Sequence, residues 1–367
     1  MADDPMIRLE SVRKLFPGSA RAAVTDLSLD VGRGEFVTLV GPSGCGKTTT
    51  LKMINRIIEP TSGRISIDGR DAMAIPRHEL RRSIGYVIQH VGLFPHRTIA
   101  QNVATVPSLL RWEQSRIDDR VAALVETVGL EPEMLARYPS ELSGGQQQRV
   151  GVARALAADP PVLLMDEPFG AVDPIVRKHL QHEFRDLQER LAKTVVFVTH
   201  DVDEAILLGN RMAILNIGGI LEQYDEPANI LSHPANQFVG SFLGGERGLK
   251  RLGLLPVGEA GLVRGPFVEV TVSAEEARRV MEEEGVDWLG LLDRGRLLGW
   301  VDQSAVDGRP LGDLQARPFL VTLDSDSSLR SALDAVVTSH ARVAVVVDDG
   351  MYRGMLDLES IAEDITE

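Results

Sequence analysis

One stretch of the sequence decides the fold, Gly41-Pro42-Ser43-Gly44-Cys45-Gly46-Lys47-Thr48. An apolar run at residues 36–40 precedes it and predicts a buried strand, and residues 49–54 follow with the spacing of a helix. A glycine-rich loop between a strand and a helix is typical of phosphate-binding sites, because backbone N–H groups and the helix N-terminus can face phosphate oxygens. Lys47 can reach the β- and γ-phosphates, and the Thr48 hydroxyl can bind Mg²⁺. The alternative, a glycine turn that matches by chance, is opposed by motifs further along the chain.

The composition limits the class of protein. The 367 residues suggest two or three domains, and no apolar run approaches the length of a membrane-spanning helix. The acidic residues 1–5 do not resemble a signal peptide, and the single cysteine fits a reducing compartment. Of the net charge of −14, residues 244–367 contribute −10, with 13 Lys and Arg against 23 Asp and Glu. We therefore expect no nucleic-acid partner, since such binding usually requires a basic surface.

Polar side chains follow three further predicted strands. They are Gln89 after residues 84–88, Asp166 and Glu167 after residues 162–165, and His200 after residues 195–199. Because open α/β sheets bind ligands at the carboxyl ends of their strands, these side chains are expected at one site. Gln89 can bind Mg²⁺ and sense the γ-phosphate, Asp166 can hold Mg²⁺ through water, and Glu167 can polarise the attacking water.

Two more features fit a nucleotide site. A helix is predicted to begin within Leu142-Ser143-Gly144-Gly145-Gln146-Gln147-Gln148-Arg149 and to run to Ala158. Ser143 is its predicted N-cap, and the two glycines leave backbone N–H groups uncovered for phosphate. Residues 6–31 are predicted to form two antiparallel strands, and the ring of Phe16 on the loop between them can stack on adenine or simply pack.

This ordered set of motifs resembles that of the ATP-binding cassette (ABC) ATPases over residues of about 6–240. The matching motifs are Walker A at residues 41–48, the Q-loop Gln89, the signature at residues 142–146, the Walker B residues Asp166 and Glu167, the D-loop at residues 171–173 and the switch His200. The resemblance implies an α/β P-loop nucleotide-binding domain at residues 1–240. It has a mixed, largely parallel sheet, an antiparallel β edge and a helical subdomain at about residues 95–150.

The resemblance also assigns site residues. It implies Glu167, His200 and Lys47 as catalytic residues, and Thr48, Gln89 and Asp166 as Mg²⁺ ligands. The ATP-binding residues that it implies are Phe16, Gly41, Pro42, Ser43, Gly44, Cys45, Gly46, Lys47, Thr48, Thr49, Gln89, Ser143, Gly144, Gly145, Gln146 and Asp173. In this family two cassettes pair head to tail, so that Ser143 and Gly145 of one subunit cover ATP on the other, which implies a homodimer. Phe16 stands where Tyr is usual, and Val172 stands where Leu is usual.

The motifs also narrow the subfamily. Residues 142–154 and 166–177 resemble those of osmoprotectant importers, which take up glycine betaine, choline, carnitine and similar quaternary amines. Related importers carry two C-terminal cystathionine-β-synthase-type (CBS) modules on this subunit. The resemblance therefore implies a linker at residues 241–262 and an α+β CBS pair at residues 263–367.

An internal repeat supports this pair. The first copy is predicted to contain strands at residues 270–272, 288–293 and 296–302 and a helix at residues 277–284. The second is predicted to contain strands at residues 321–323, 342–348 and 351–357 and a helix at residues 329–337. The alternative is one irregular α+β domain.

The repeat departs from the family at one position. CBS modules that bind adenosine usually end in Gly-x-x-Thr/Ser-x-x-Asp, whereas this chain has Gly299, Asp302 and Ala305 in the first copy and Gly354, Asp357 and Ser360 in the second. Because a carboxylate repels phosphate, we expect no adenine nucleotide in the usual pocket. The preferred hypothesis is a regulatory pair that senses ionic strength or a cyclic dinucleotide.

The sequence thus predicts an ATPase subunit, peripheral at the cytoplasmic face of the membrane, that couples ATP hydrolysis to import of quaternary amines. The resemblance implies transmembrane permease subunits as partners, contacted around residues 89–95 and the helical subdomain, and indirectly an extracytoplasmic binding protein. An importer of another solute, such as an ergothioneine-like betaine or an amino acid, is an open alternative. An exporter is disfavoured, because exporters commonly fuse the permease to the cassette. A soluble ATPase acting on DNA or ribosomes is opposed by the single cassette, the acidic charge and the spacing of only 53 residues between Gln89 and Leu142.

Cys45 has two interpretations. It is a small residue that fills a tight loop, or it is a thiol activated by the helix N-terminus, whose alkylation blocks ATP binding.

Overall fold

The computed structural model describes residues 4–88, 92–170, 172–339 and 341–366. The chain forms two compact units, Met1–Gly244 and Gly245–Glu367. In the first unit the strands are β1 (Ile7–Lys14), β2 (Val24–Val31), β3 (Phe36–Val40), β4 (Ser62–Ile67), β5 (Arg70–Asp71), β6 (Ile84–Val87), β7 (Val162–Asp166), β8 (Thr194–Val198), β9 (Arg211–Asn216) and β10 (Ile220–Asp225). Its helices are α1 (Lys47–Ile54), α2 (Arg77–Arg82), α3 (Ile99–Val103), α4 (Thr105–Leu109), α5 (Gln114–Thr127), α6 (Gly144–Leu156), α7 (Pro174–Leu191), α8 (Val202–Leu208), α9 (Pro227–Ser232) and α10 (Gln237–Leu243).

Two sheets organise the first unit. The antiparallel sheet has the order β2-β1-β4-β5, and the larger sheet has the order β10-β9-β3-β8-β7-β6. In the larger sheet, neighbouring strands from β9 to β6 run parallel, and only β10 pairs antiparallel. The predicted mixed sheet with an antiparallel edge is therefore confirmed. The order β3-β8-β7-β6 places the carboxyl ends of these four strands side by side.

The central strands are apolar because both faces of the larger sheet are covered. Every residue of β3, β7 and β8 is buried. On β8, Val195 and Phe197 pack into a core with residues of α5, α6 and α7. Their neighbours Val196 and Val198 pack on the opposite face, with residues of α1 and the antiparallel sheet. This alternation follows from the two-residue period of a strand, and it fixes the register in which the strand ends reach the site.

The second unit contains the predicted repeat. Its strands are β11 (Phe267–Glu269), β12 (Trp288–Asp293), β13 (Arg296–Asp302), β14 (Thr322–Leu323), β15 (Ala344–Asp348) and β16 (Met351–Leu356), and its helices are α11 (Arg247–Leu252), α12 (Ala274–Glu284), α13 (Leu329–Thr338) and α14 (Leu358–Thr366). The sheet has the order β11-β12-β13-β16-β15-β14. The three strands of the second copy follow one another in the reverse order of those of the first copy, so the sheet has an internal twofold pattern. In each copy the first strand pairs parallel with the second, and the second pairs antiparallel with the third. The two copies meet where Arg296 of β13 pairs with Met351 of β16.

Two details differ from the prediction. The prediction of a strand at residues 270–272 was wrong, because these residues form a turn. The strand lies at Phe267–Glu269. The hydroxyl of Ser273 caps α12, and the chain must turn before that cap. The predicted linker contains folded structure, since α11 lies within it and Leu252 and Val257 are buried against Leu329. Among the described residues, no helix combines the length and apolar character needed to cross a bilayer.

Candidate active site

The phosphate loop connects β3 to α1 in a conformation that needs glycine. Gly41 and Gly46 have φ values of +151° and +112°, and a Cβ added to Gly41 would lie 2.1 Å from the carbonyl oxygen of Leu215. Lys47 is buried inside the loop, and its ammonium group donates hydrogen bonds to the carbonyl oxygens of Gly41 (2.7 Å) and Pro42 (3.3 Å). Both acceptors are neutral, and the carboxylate of Asp166 also attracts the ammonium group electrostatically. This environment favours an anion such as phosphate next to the ammonium group.

The loop is joined to the end of β7. The hydroxyl of Thr48 donates a hydrogen bond of 2.8 Å to Oδ1 of Asp166. Burial raises the pKa of Asp166, and the hydrogen bond from Thr48 partly opposes that effect. Neighbouring ligands of an octahedral Mg²⁺, each at about 2.0–2.1 Å, lie roughly 2.9 Å apart, so the two oxygens have a spacing that fits this ion. Hydroxyl and carboxylate oxygens are also the donors that Mg²⁺ prefers.

Glu167 and His200 meet at the ends of β7 and β8. Nδ1 of His200 lies 3.2 Å from Oε2 of Glu167. The backbone of Glu167 has a φ of +45°, which is unusual for a residue with a side chain. Its N–H donates to the carbonyl oxygen of Val198 on β8, so the strained residue is held by the sheet. This turn places the Glu167 carboxylate beside the imidazole of the neighbouring strand end.

The signature motif forms the N-terminus of α6. The prediction that Ser143 caps this helix is confirmed, because its hydroxyl accepts a hydrogen bond of 3.3 Å from the Gln146 N–H. The Gln146 side chain in turn accepts one of 2.9 Å from the Ser143 N–H. Ser143 and Gly144 are exposed, and a Cβ added to Gly144 would meet no atom within 4 Å. The helix N-terminus is therefore open to a partner molecule.

The remaining predicted residues have different environments. Phe16 is 38% exposed, and the Lys14 ammonium group lies 5.1 Å from its ring centroid. Asp173 is exposed at the start of α7, where its carbonyl oxygen accepts a hydrogen bond from the Arg177 N–H. Cys45 is fully buried, which supports the packing interpretation over a reactive thiol. Gln89 lies outside the described residues.

The structure thus brings together Lys47, Thr48, Asp166, Glu167 and His200. Among the described residues, no hydrogen bond connects Ser143 to the phosphate loop. A cluster that sequence reasoning missed lies next to His200, where the buried Glu204 of α8 accepts a hydrogen bond from Gln181 of α7. The available signal was a carboxylate directly before the apolar residues 205–208 of α8.

In the second unit, the carboxylates at the altered CBS positions have specific partners. Oδ1 of Asp357 accepts hydrogen bonds of 2.8 Å from both the N–H and the hydroxyl of Ser360 at the start of α14. The N–H of Ser360, followed by its hydroxyl, lowers the pKa of Asp357 and keeps the carboxylate ionised. Asp302 forms an ion pair of 3.0 Å with Arg317. Both positions therefore carry carboxylates with structural contacts.

Comparison with known proteins identifies the family. The ABC transporter family matches residues 24–170, and the CBS domain family matches residues 311–367. A glycine betaine/carnitine/choline transport ATP-binding protein of Bacillus subtilis (strain 168) is 48% identical over 354 residues, which cover 94% of this chain and 92% of that protein. The chain belongs to the ABC transporter family. The predicted family membership is thereby confirmed.

Two further similarities agree with the assignment of this chain to the ABC transporter family. An osmoprotectant import ATP-binding protein of Salmonella typhimurium (strain LT2) is 44% identical over 98% of this chain and 96% of its own length. A solved dimeric ATP-binding cassette, in a post-hydrolysis state bound to ADP and Pi, matches with a TM-score of 0.54 and 34% identity. That match covers 60% of this chain and 98% of the solved chain. The predicted fold and ATPase activity are confirmed, and the chain is an ATP-binding subunit of a transport system.

Proposed function

We propose that this ABC ATPase drives the import of quaternary amine osmoprotectants of the glycine betaine, choline and carnitine type. The observation that carries the proposal is similarity over both units, at 94% and 98% of the chain, to relatives named for glycine betaine/carnitine/choline transport and for osmoprotectant import. A match limited to the phosphate loop and its sheet would support ATP hydrolysis without supporting any class of solute.

The proposed mechanism assigns a task to each residue of the site. Lys47 and the loop N–H groups bind the phosphates of ATP, and Thr48 and Asp166 hold Mg²⁺. Mg²⁺, when bound, neutralises charge that develops on the phosphate oxygens. Glu167 accepts a proton as water attacks the γ-phosphorus, and the bond to the β–γ bridging oxygen breaks so that ADP leaves. His200 orients the Glu167 carboxylate that it contacts at 3.2 Å.

The open N-terminus of α6 supports a head-to-tail homodimer. Within one chain, Ser143 has no hydrogen bond to the phosphate loop among the described residues, and its flanking glycine is exposed. In the proposed dimer, Ser143 and Gly145 of one subunit cover ATP held by Lys47 and Thr48 of the other. Each ATP is then bound by two chains, so that hydrolysis opens the interface.

We place the dimer at the cytoplasmic face of the membrane, beneath separate permease subunits that receive solute from an extracytoplasmic binding protein. The support is the name of the Salmonella typhimurium relative, an osmoprotectant import ATP-binding protein. The contact surface expected for the permease includes the part of residues 89–95 that the structure describes and the helices around α3 to α5.

The test is uptake of labelled glycine betaine, choline and carnitine into cells that contain this subunit and its permease, at low and high osmolarity. Cells with the Glu167→Gln variant should take up none of these solutes. Cells with Glu226→Gln, which alters an exposed glutamate of the same unit, should take them up normally. Uptake that depends on Glu167 and rises with osmolarity is expected. Uptake of none of the three solutes by a chain that hydrolyses ATP would overturn the proposed solute class.

For the second unit, we propose a regulatory role in response to ionic strength or a cyclic dinucleotide. The carboxylates of Asp302 and Asp357 argue only against an adenine nucleotide in the usual pocket, and a cyclic dinucleotide would have to bind away from them, because a carboxylate repels the phosphates of either ligand. Calorimetric titration of the full chain with AMP and cyclic di-AMP separates the two ligand classes. Tight AMP binding would contradict the proposal.

A further inference from the structure

Three charged side chains are buried among the residues whose burial is described: Lys47, Asp166 and Glu204. The first two belong to the site already described. Glu204 has no role in that site, yet it is only 5% exposed, and burying a carboxylate is costly unless hydrogen bonds or opposite charges compensate. Its position therefore needs an explanation of its own.

Glu204 is tied to the loop that carries His200. Its carboxylate is hydrogen-bonded by the side chain of Thr199, the buried residue directly before His200. The Thr199 hydroxyl also accepts a hydrogen bond of 3.0 Å from the Asp201 N–H, directly after His200. Asp201 in turn caps α8 by accepting from the Glu204 N–H at 3.2 Å. His200 thus sits between two residues that are both held by the start of α8.

Glu204 is also tied to α7 and to the loop that carries Asp173. Oε1 of Glu204 accepts a hydrogen bond of 2.9 Å from Nε2 of Gln181, and both side chains are buried. One turn earlier on α7, Arg177 is attracted electrostatically to Glu204 and donates from Nη2 to the carbonyl oxygen of Val172 at 3.0 Å. Nε of Arg177 is buried and has no hydrogen-bond partner among the described residues. Arg177 is therefore hydrogen-bonded to the residue that precedes Asp173 and is attracted electrostatically to the buried carboxylate.

We propose that Glu204 is a positioning residue which, with Gln181 and Arg177, holds the His200 loop and the Asp173 loop in a fixed relation. A displacement of one loop is then transmitted to the other through α7. The proposal rests on the assignment of His200 and Asp173 to the ATP sites of the proposed dimer. Asp173 lies at the start of α7 and His200 follows β8, so the network adds a second connection between these segments to the one made by the pairing of β7 with β8.

Stability alone does not account for this network. A buried carboxylate held by neutral hydrogen-bond donors gains little net stability, because its desolvation offsets those hydrogen bonds. Replacing the carboxylate by a neutral group of nearly the same shape tests its role while preserving packing. Glu204→Gln meets that condition.

The experiment measures ATP hydrolysis and ATP binding by the full-length chain without any solute. Glu204→Gln should lower kcat on the order of 10-fold, because small displacements of catalytic groups have large effects on rate. ATP affinity should stay within about twofold, since the phosphate loop is untouched. Asp203→Asn, on the exposed side of the same helical turn, is the matched control and should retain full activity.

A double-mutant cycle with Arg177→Gln separates positioning from a general loss of structure. If the two residues act as one network, the double variant should lose no more kcat than the stronger single variant. Additive losses, an unchanged kcat in Glu204→Gln, or a loss that merely follows a lower unfolding temperature would each overturn the proposal.

Failure of the active-site assignment has a different signature. If Glu167→Gln hydrolyses ATP normally, the assignment itself is wrong. If Glu167→Gln is inactive while Glu204→Gln is fully active, only the positioning role is wrong. Neither outcome depends on which solute is transported.

Discussion

The hydroxyl of Thr48 lies 2.8 Å from the carboxylate of Asp166, although 118 positions separate the two residues in the chain. One belongs to the first turn of α1 and the other is the last residue of β7. Their contact joins the phosphate loop to the strand that also delivers Glu167. A change at either residue should therefore affect metal use more strongly than nucleotide affinity.

Asp166→Asn tests this expectation. The amide is a weaker ligand for Mg²⁺, so the Mg²⁺ concentration for half-maximal ATP hydrolysis should rise by about 10- to 100-fold. Binding of ATP without metal should change little. Hydrolysis rates across a Mg²⁺ titration measure the effect, with Asp26→Asn on the exposed face of β2 as a control. An unchanged Mg²⁺ dependence would remove Asp166 from the metal site.

Phe16→Ala tests stacking on adenine. The ring is partly exposed on the loop after β1, and base–aromatic stacking contributes about 1–3 kcal/mol, so KM for ATP should rise by roughly 5- to 150-fold. Phe16→Tyr keeps the aromatic face and should behave like the natural chain. If Phe16→Ala binds ATP and a base-free triphosphate with unchanged affinities, the ring does not contact the base.

Mixed dimers test the head-to-tail arrangement. Lys47→Ala removes the phosphate ligand, and Ser143→Arg blocks the surface that covers the partner's ATP, so each variant alone should be inactive. A mixed dimer has one intact site, made of Lys47 from one chain and Ser143 from the other. An equal mixture should therefore recover about a quarter of the natural ATPase activity if chains exchange freely. A mixture that stays inactive, while labelled chains exchange, would exclude sites shared between subunits.

The stability of Glu204→Gln should depend on pH. Burial raises the pKa of Glu204, despite opposing hydrogen bonds from Thr199 and Gln181. The folded chain then binds this proton more tightly than the unfolded chain, so the stabilising contribution is present below the unfolded-state pKa of about 4.3 and is lost as the pH rises through the folded-state pKa. Glu204→Gln should consequently unfold at a higher temperature than the natural chain at pH 8, with a smaller difference at pH 5. Calorimetric melting at both pH values measures this, and a less stable variant at pH 8 would show that attraction to Arg177 dominates.

The sequence predicts the elements that depend on local pattern. The strands β3, β7 and β8 are short and mostly apolar, and the polar residues of the site lie at or close after their ends, with Asp166 the last residue of β7 and His200 two residues after β8. Ser143 is recognisable as a helix cap because its hydroxyl acts on an N–H only three residues away. These features need no knowledge of distant contacts.

Features created by packing between distant segments were not predicted. Glu204 gains its partners only when α8 packs on α7, and Gln181 lies 23 positions away. The segment around α11 resembles a linker until Leu252 and Val257 meet Leu329. The residues Val270 and Val272 have strand propensity, but the helix cap at Ser273 decides their conformation.

The left-handed backbone at Glu167 bears on how this sequence can evolve. Glycine adopts a φ of +45° without the steric penalty of a side chain, and that penalty is about 1 kcal/mol or more. Replacing Glu167 by glycine would also remove the repulsion between its carboxylate and Asp166. A library of variants selected only for folding should therefore accumulate glycine at position 167, and the same library selected for growth on ATP-driven uptake should reject it. At position 167, selection for ATP-driven uptake therefore favours glutamate, whereas selection for stability favours glycine.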